Sequence, residues 1–251
     1  FTDSSGSAHT VTAVGNTHTD TAIKKFGTAA GQFDGTGDYL SFPDSSDWDF
    51  GTGEFTLECW VRFSNYANYT KFFNLEKNGT NYYGIILQTG SGADKLMYNI
   101  ADTSDAGTSW TVSQETSTTL SVDTWYHIAF VRTGDVLKIF KDGTQVGSDA
   151  AFTGTLGVGN QGQNYLGGDP SYSSQMLDGY MDEIRISKGI ARWTANFTPP
   201  ATPYEHSRRL LSGSVDVSGQ PSGTNMKYKI TTHNQAATKQ TRIYGTSMAW
   251  A

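Results

Sequence analysis

Apolar and polar positions alternate with a period of two through much of this chain, most plainly between Trp125 and Gly147. Tyr126, Ile128 and Phe130 alternate there against Trp125, His127 and Ala129, which predicts a strand. Arg132-Thr133-Gly134-Asp135 turns the chain, and Val136 to Phe140 returns as a second strand. Asp142-Gly143 turns it again, because Asp-Gly supplies the positive φ angles of a tight hairpin turn. An antiparallel meander is expected, and the rest of the chain must cover it.

The same period marks residues 54–63, where Phe55, Leu57, Cys59 and Val61 share one face. Residues 32–40 run apolar, through an acidic glycine turn, to apolar again, which predicts a short hairpin with Asp34 and Asp38 at its bend. Residues 1–25 are polar apart from Val11, Val14 and Ile23, as suits an edge strand and a loop. Trp48 and Phe50 are expected to plug the core from the loop 43–53. Strands are predicted over 72–76 and 82–88 around an Asn78-Gly79 turn, with a weaker one at 95–100. Asn164 to Leu166 reads as a short strand, 169–175 as a surface loop and 176–186 as a closing strand. Residues 187–196 carry Ile190, Ala191 and Trp193 without a turn residue between them, and a helical turn is predicted there. The prolines at 199, 200 and 203 then end regular pairing.

Composition turns these elements into a fold class. With 36% hydrophobic and 17% charged residues the chain is too apolar to be disordered, and 28 glycines against six prolines mark many turns between short strands. The expected fold is all-β: a two-sheet antiparallel β-sandwich over residues 1–203, with a small C-terminal β extension over 204–251. That extension holds two further strand-like runs, 226–231 and 241–244. Some forty residues cannot bury a core unaided, so the tail must pack on the first domain, on another subunit or on the rest of a longer protein, and homo-oligomer assembly through 204–251 is expected. Cys59 is the single cysteine, expected as a buried free thiol, and no intrachain disulfide can form.

A net charge of −6 without a basic run argues against a nucleic-acid partner, and no apolar run is long enough to insert in a membrane. The chain does not begin with Met, and a fragment of a longer product is expected.

Four segments, FGTAAGQFDGTGDYLSFPDS at 26–45, FTLECWVRF at 55–63, WYHIAFVRTGDVLKIFKDGTQVGS at 125–148 and LDGYMDEIRISKGIARW at 177–193, resemble in their order the LamG-like jelly-roll family of the concanavalin A-like lectin/glucanase fold. The resemblance implies a jelly roll whose first strand lies upstream of residue 1 and pairs near 182–186. It also implies that the Asp182 segment lies beside the acidic turn. Joined to such a tail, the domain looks like those of tailed-phage virion proteins. The implied function is a non-enzymatic virion-surface or adhesion module, extracellular, in a capsid, tail or fibre, with other virion subunits and a host glycan as partners. A purely structural assembly subunit is the alternative, and a glycoside hydrolase a further one.

Candidate chemistry divides three ways. Asp34, the Gly35 carbonyl, Asp38 and Asp182 offer the oxygen ligands that Ca²⁺ prefers; the other reading is that Asp34 and Asp38 cap their turn and Asp182 bonds loop amides. Tyr66, Tyr69, Trp110 and Tyr172, with Asn164, provide aromatic faces and an amide for a glycan-binding rim. Hydrolysis needs spaced carboxylates on one strand face, and the adjacent Asp182 and Glu183 point to opposite faces. Gly157-x-Gly159-x-x-Gly162 lacks the strand and helix of a dinucleotide site. His127 is read as a packed or hydrogen-bonded sheet residue and Trp48, Trp60 and Trp125 as core or inter-sheet packing. Asn68, Asn78 and Asn196 match the glycosylation triplet, coincidences of an Asn- and Thr-rich surface if the source is a phage.

Overall fold

The computed structural model describes residues 1–76, 84–102, 110–157 and 163–204. The Asn78-Gly79 turn, two of the three glycines in the 157–162 motif and the extension beyond Tyr204 lie outside those residues. In chain order the strands are β1 (Thr12–Val14), β2 (His18–Asp20), β3 (Ala30–Asp34), β4 (Tyr39–Pro43), β5 (Phe55–Asn65), β6 (Lys71–Glu76), β7 (Gly84–Thr89) and β8 (Leu96–Ala101). There follow β9 (Val112–Glu115), β10 (Trp125–Thr133), β11 (Val136–Lys141), β12 (Thr144–Gln145), β13 (Ala150–Ala151), β14 (Gln163–Leu166) and β15 (Asp178–Lys188).

Among the described residues these strands form two antiparallel sheets. A seven-stranded sheet runs β1-β4-β14-β6-β7-β8-β9, and an eight-stranded sheet runs β12-β11-β10-β5-β15-β3-β2 with β13 beside β11. The expected two-sheet sandwich is therefore present, and the meander β10-β11-β12 forms one end of the larger sheet. Its Asp142-Gly143 turn has φ of 51° and 75°, the left-handed pair that the dipeptide supplies.

Alternation decides which side chains enter the core. Phe55, Leu57, Cys59, Val61 and Phe63 of β5 point inward to meet Ile128 and Phe130 of β10 and Leu87, Tyr98 and Ile100 of the opposite sheet. Each such aliphatic or aromatic side chain contributes about 1.5–3 kcal/mol through burial. Cys59 is a buried free thiol, and burial pushes its pKa well up. Trp48 and Phe50 plug the core as expected, Trp48 from a 3-10 turn at Ser46–Trp48 with its indole N–H donating to the Pro43 carbonyl at 3.2 Å.

Three expectations fail for physical reasons. Residues 32–40 are no hairpin: β3 belongs to the larger sheet and β4 to the smaller, so the acidic turn is a corner between sheets. Phe33 and Leu40 fill the same core from opposite sides, which the apolar-turn-apolar pattern does not distinguish from a hairpin. Residues 187–196 form no helical turn; β15 runs to Lys188, and an extended strap follows. Thr56 draws the strap down, donating its hydroxyl to the Ile190 carbonyl at 2.8 Å and accepting the Arg192 N–H at 3.0 Å. Ala191, Trp193 and Phe197 then cover Ala129, Val131 and Phe140 on the outer face of the larger sheet. Trp125 also leaves the core, since it stands half-buried on the outer-facing alternation of β10, whereas Trp60 is buried as expected, on the outer-facing side of β5.

Candidate functional site

The outer face of the smaller sheet carries a groove of about 340 Å³ lined by residues of β6 to β9 and of three loops. Its floor follows from alternation. Ile85, Leu87, Tyr98 and Ile100 enter the core, so Ile86, Gln88, Met97 and Asn99 face outward, joined by Lys71 and Ser113. Most of these floor residues are nonetheless buried, because loops rise around them.

The loop 169–175 builds one wall. Asp169 is fully buried, and its Oδ1 accepts the Ser171 N–H at 2.8 Å while its Oδ2 receives Lys71 Nζ at 3.0 Å and the Asn74 amide at 2.8 Å. The Lys71 N–H donates to the Gln175 carbonyl at 2.9 Å, so both ends of the loop are tied to β6. Tyr172 projects from this frame, 36% exposed, with its ring 4.0 Å from Lys71 Nζ. Tyr69, also 36% exposed, lines the groove from the loop that leads into β6. Thr70 and Thr89 bind the turn beneath it: the Thr89 hydroxyl donates to the Ala67 carbonyl at 2.6 Å and accepts the Thr70 N–H at 2.9 Å. That closure holds Tyr69 at φ 64°, a left-handed conformation that costs an ordinary side chain about 1–2 kcal/mol. Trp110 lines the groove from the approach to β9.

Of the five residues assigned to a glycan rim, the fold thus brings Tyr69, Trp110 and Tyr172 to one groove. It does not bring the other two. Tyr66 packs edge-on against Phe63 at 5.9 Å and donates its hydroxyl to the Leu120 carbonyl at 3.0 Å. Asn164 is 0% exposed and shares its alternation with the core residue Leu166, so it belongs to the interior and not to the rim. Sequence reasoning missed Lys71, Gln88, Asn99 and Gln175. The available signal was polar residues breaking the apolar runs of β7 and β8 at alternate positions, which marks the outer face.

A family profile described as the concanavalin A-like lectin/glucanases superfamily matches residues 34–192, more than half of the sequence. The chain belongs to that superfamily. No curated protein matches it. Among solved structures, it is similar to domain 4 of AbnA, a GH43 extracellular arabinanase from Geobacillus stearothermophilus in complex with arabinotriose, at 21% identity and a TM-score of 0.51, covering 73% of this chain and 84% of that one. It is also similar to the binding domain of Paraclostridial Mosquitocidal Protein 1, at 13% identity and a TM-score of 0.53, covering 73% of this chain. The botulinum neurotoxin serotype G binding domain gives 12%, 0.53 and 75%. The chain spans 45% of the length of each of these two toxin domains. These likenesses establish the superfamily fold.

Because the superfamily includes glucanases, buried acid and base groups on the other face of the sandwich need a reading. Glu58 and His127 face each other with Oε2 and Nε2 at 3.3 Å, both side chains 0% exposed. Arg185 meets Glu58 Oε1 at 2.6 Å, and the Trp193 indole N–H donates to Oε2 at 2.9 Å. Tyr204 closes the cluster, its hydroxyl 3.1 Å from His127 Nε2 and its ring 3.7 Å from the Arg185 guanidinium. Burial would push the Glu58 carboxyl up, yet the His127 hydrogen bond, the Arg185 charge and the Trp193 N–H hold it below its ordinary value. Burial and the Glu58 charge push the Tyr204 phenol far up. Glu58 is thus an ion-pair partner of Arg185, and its side chain and that of His127 are both buried beneath the strap.

The proposed calcium ligands divide as well. The Asp38 carboxylate accepts the Asn16 N–H at 2.5 Å and the Asp34 N–H at 2.8 Å. Asp34 accepts the Thr36 N–H at 2.8 Å and the Asn16 side-chain amide at 3.0 Å, bonds that lower its pKa. Gly35, at φ 78°, packs toward Asp178, whose backbone is the register partner of Asp34. Asp182 stands four residues further along β15, about 13 Å at the strand rise. Its Oδ2 accepts the Lys25 and Phe26 amides, each at 2.9 Å. Every oxygen of these three carboxylates thus holds an N–H donor, and among the described residues no three His, Cys, Asp or Glu side chains gather as metal ligands. The set fits a hydrogen-bonded corner and does not fit a calcium cage.

Proposed function

We propose that the protein is a non-catalytic carbohydrate-binding module and that the groove on β6 to β9 is its site. One observation carries the reading: Tyr69, Trp110 and Tyr172 surround a floor of buried amides. Aromatic faces bind the apolar face of a sugar ring, and amides bond its hydroxyl edge. The walls stand in place before any ligand arrives, because Asp169 and the paired threonines fix both loops. Pre-organisation of this kind lowers the ordering cost of binding. Superfamily membership supports the reading, as does the make-up of the groove, whose described lining residues include no carboxylate.

The setting we propose is extracellular, on a virion surface, with residues 204–251 serving assembly alongside other virion subunits. A native particle purified without this chain would remove that setting and leave the binding reading intact. The binding itself is tested by a glycan array on the whole chain followed by titration of the best ligand. Trp110→Ala and Tyr172→Ala are each expected to weaken binding about thirtyfold, the loss of a central aromatic worth about 2 kcal/mol. Unchanged affinity in both variants would move the site elsewhere.

A further inference from the structure

Resting on that carbohydrate reading, we infer that the groove selects uncharged saccharides and rejects those bearing carboxylate or sulfate. Lys71 is the only cationic side chain among the described lining residues, and its charge is already used. Its ammonium lies 3.0 Å from the fully buried Asp169 carboxylate, and its side chain is 4% exposed. The Tyr172 ring covers it at 4.0 Å. An anionic sugar would have to compete with Asp169 for that one ammonium, and separating a buried ion pair strands a charge in a low-dielectric site. Gln88, Asn99, Ser113 and Gln175, the other polar side chains of the lining apart from the aromatic hydroxyls, carry no charge.

Asn99 Oδ1 and, on β6, Asn74 Oδ1 are buried without a hydrogen-bond partner. Closed off from the groove, they neither attract nor repel a charged ligand. Among its described lining residues the groove therefore offers an anionic sugar no free positive charge.

The test presents the whole chain with neutral oligosaccharides and with their uronate, sialylated and sulfated counterparts, at about 50 mM and about 500 mM NaCl, a range over which screening removes most of the attraction between exposed charges. Neutral glycans are expected to bind with less than about a twofold change in affinity across that range. Preference for the charged counterparts, or an affinity that falls severalfold with salt, overturns the inference and leaves the carbohydrate reading standing. Binding of no glycan at all overturns the carbohydrate reading and the inference with it.

Discussion

Tyr69 occupies a position where Gly or Asn would cost the backbone less, since its φ of 64° lies in the left-handed region. Strain of this kind persists where the surrounding structure over-determines it, here through the bonds of Thr70 and Thr89 to Ala67. Tyr69→Asn should therefore leave the melting temperature unchanged or raise it by relieving up to about 1–2 kcal/mol, while glycan affinity falls. A thermal melt beside a titration reads both. A clear loss of stability would mean that the ring is a packing element, and its role in the groove would lapse. At this scale the walls were legible and the floor was not. Tyr69, Trp110 and Tyr172 are aromatics in polar loops, a pattern visible in one dimension. Asn99 and Gln88 became meaningful only once the outward face of β7 and β8 was known, and Asn164 changed meaning when its strand lay between β4 and β6 with the amide turned inward.

The strap from Gly189 to Tyr204 shows how an element can be misread from composition. Its apolar residues fall within one short run, as a helical turn requires, yet it stays extended because its polar and apolar anchors lie on the sheet beneath: Thr56 for its backbone, Glu58 for the Trp193 indole, Phe140 for Phe197. Glu58 ties this element to pH. Its folded pKa is lowered from the ordinary 4.5, so its contribution is fully present above that value and is lost as pH falls through the lower folded value. Stability measured by denaturant melts should fall as the solution is acidified below about pH 4.5. Glu58→Gln should cost about 3–5 kcal/mol at neutral pH, because Arg185 and Arg192 are left beside a neutral group, and its acid limb should be shallower than that of the parent. Parallel limbs for the two proteins would show that other carboxylates set the acid transition. The same limit of one-dimensional reading explains the corner at 34–38, where local pattern gives the turn but not which sheet the chain joins next.

Across the whole molecule, alternation and turn chemistry revealed the sandwich, while the sheet order stayed hidden. The order depends on partners far apart in sequence: β5 lies between β10 and β15, and β14 lies between β4 and β6. The groove depends on the same long-range pairing, since Tyr69, Asn99 and Tyr172 meet only when β6, β7 and β8 stand side by side and the loop after β14 returns over them. The resulting slab separates two functions physically. The groove lies on the outer face of the smaller sheet and the strap on the outer face of the larger, with two sheets and a close-packed core between them, about 10 Å from sheet to sheet. Effects on the two faces should then be independent. Trp193→Ala opens the strap and is expected to cost about 3 kcal/mol of stability, toward the lower end for an aromatic because the ring is only partly buried. Tyr172→Ala is expected to lower glycan affinity, with any stability cost confined to its packing on Lys71. In the double variant the stability change and the affinity change should each equal the sum of the single-variant changes in that quantity to within about 0.5 kcal/mol, as for sites that share no partners. A larger coupling, measured by titration and melting of all four proteins, would mean that strap and groove share a moving element, and the reading of the sandwich as a rigid partition between them would have to be abandoned.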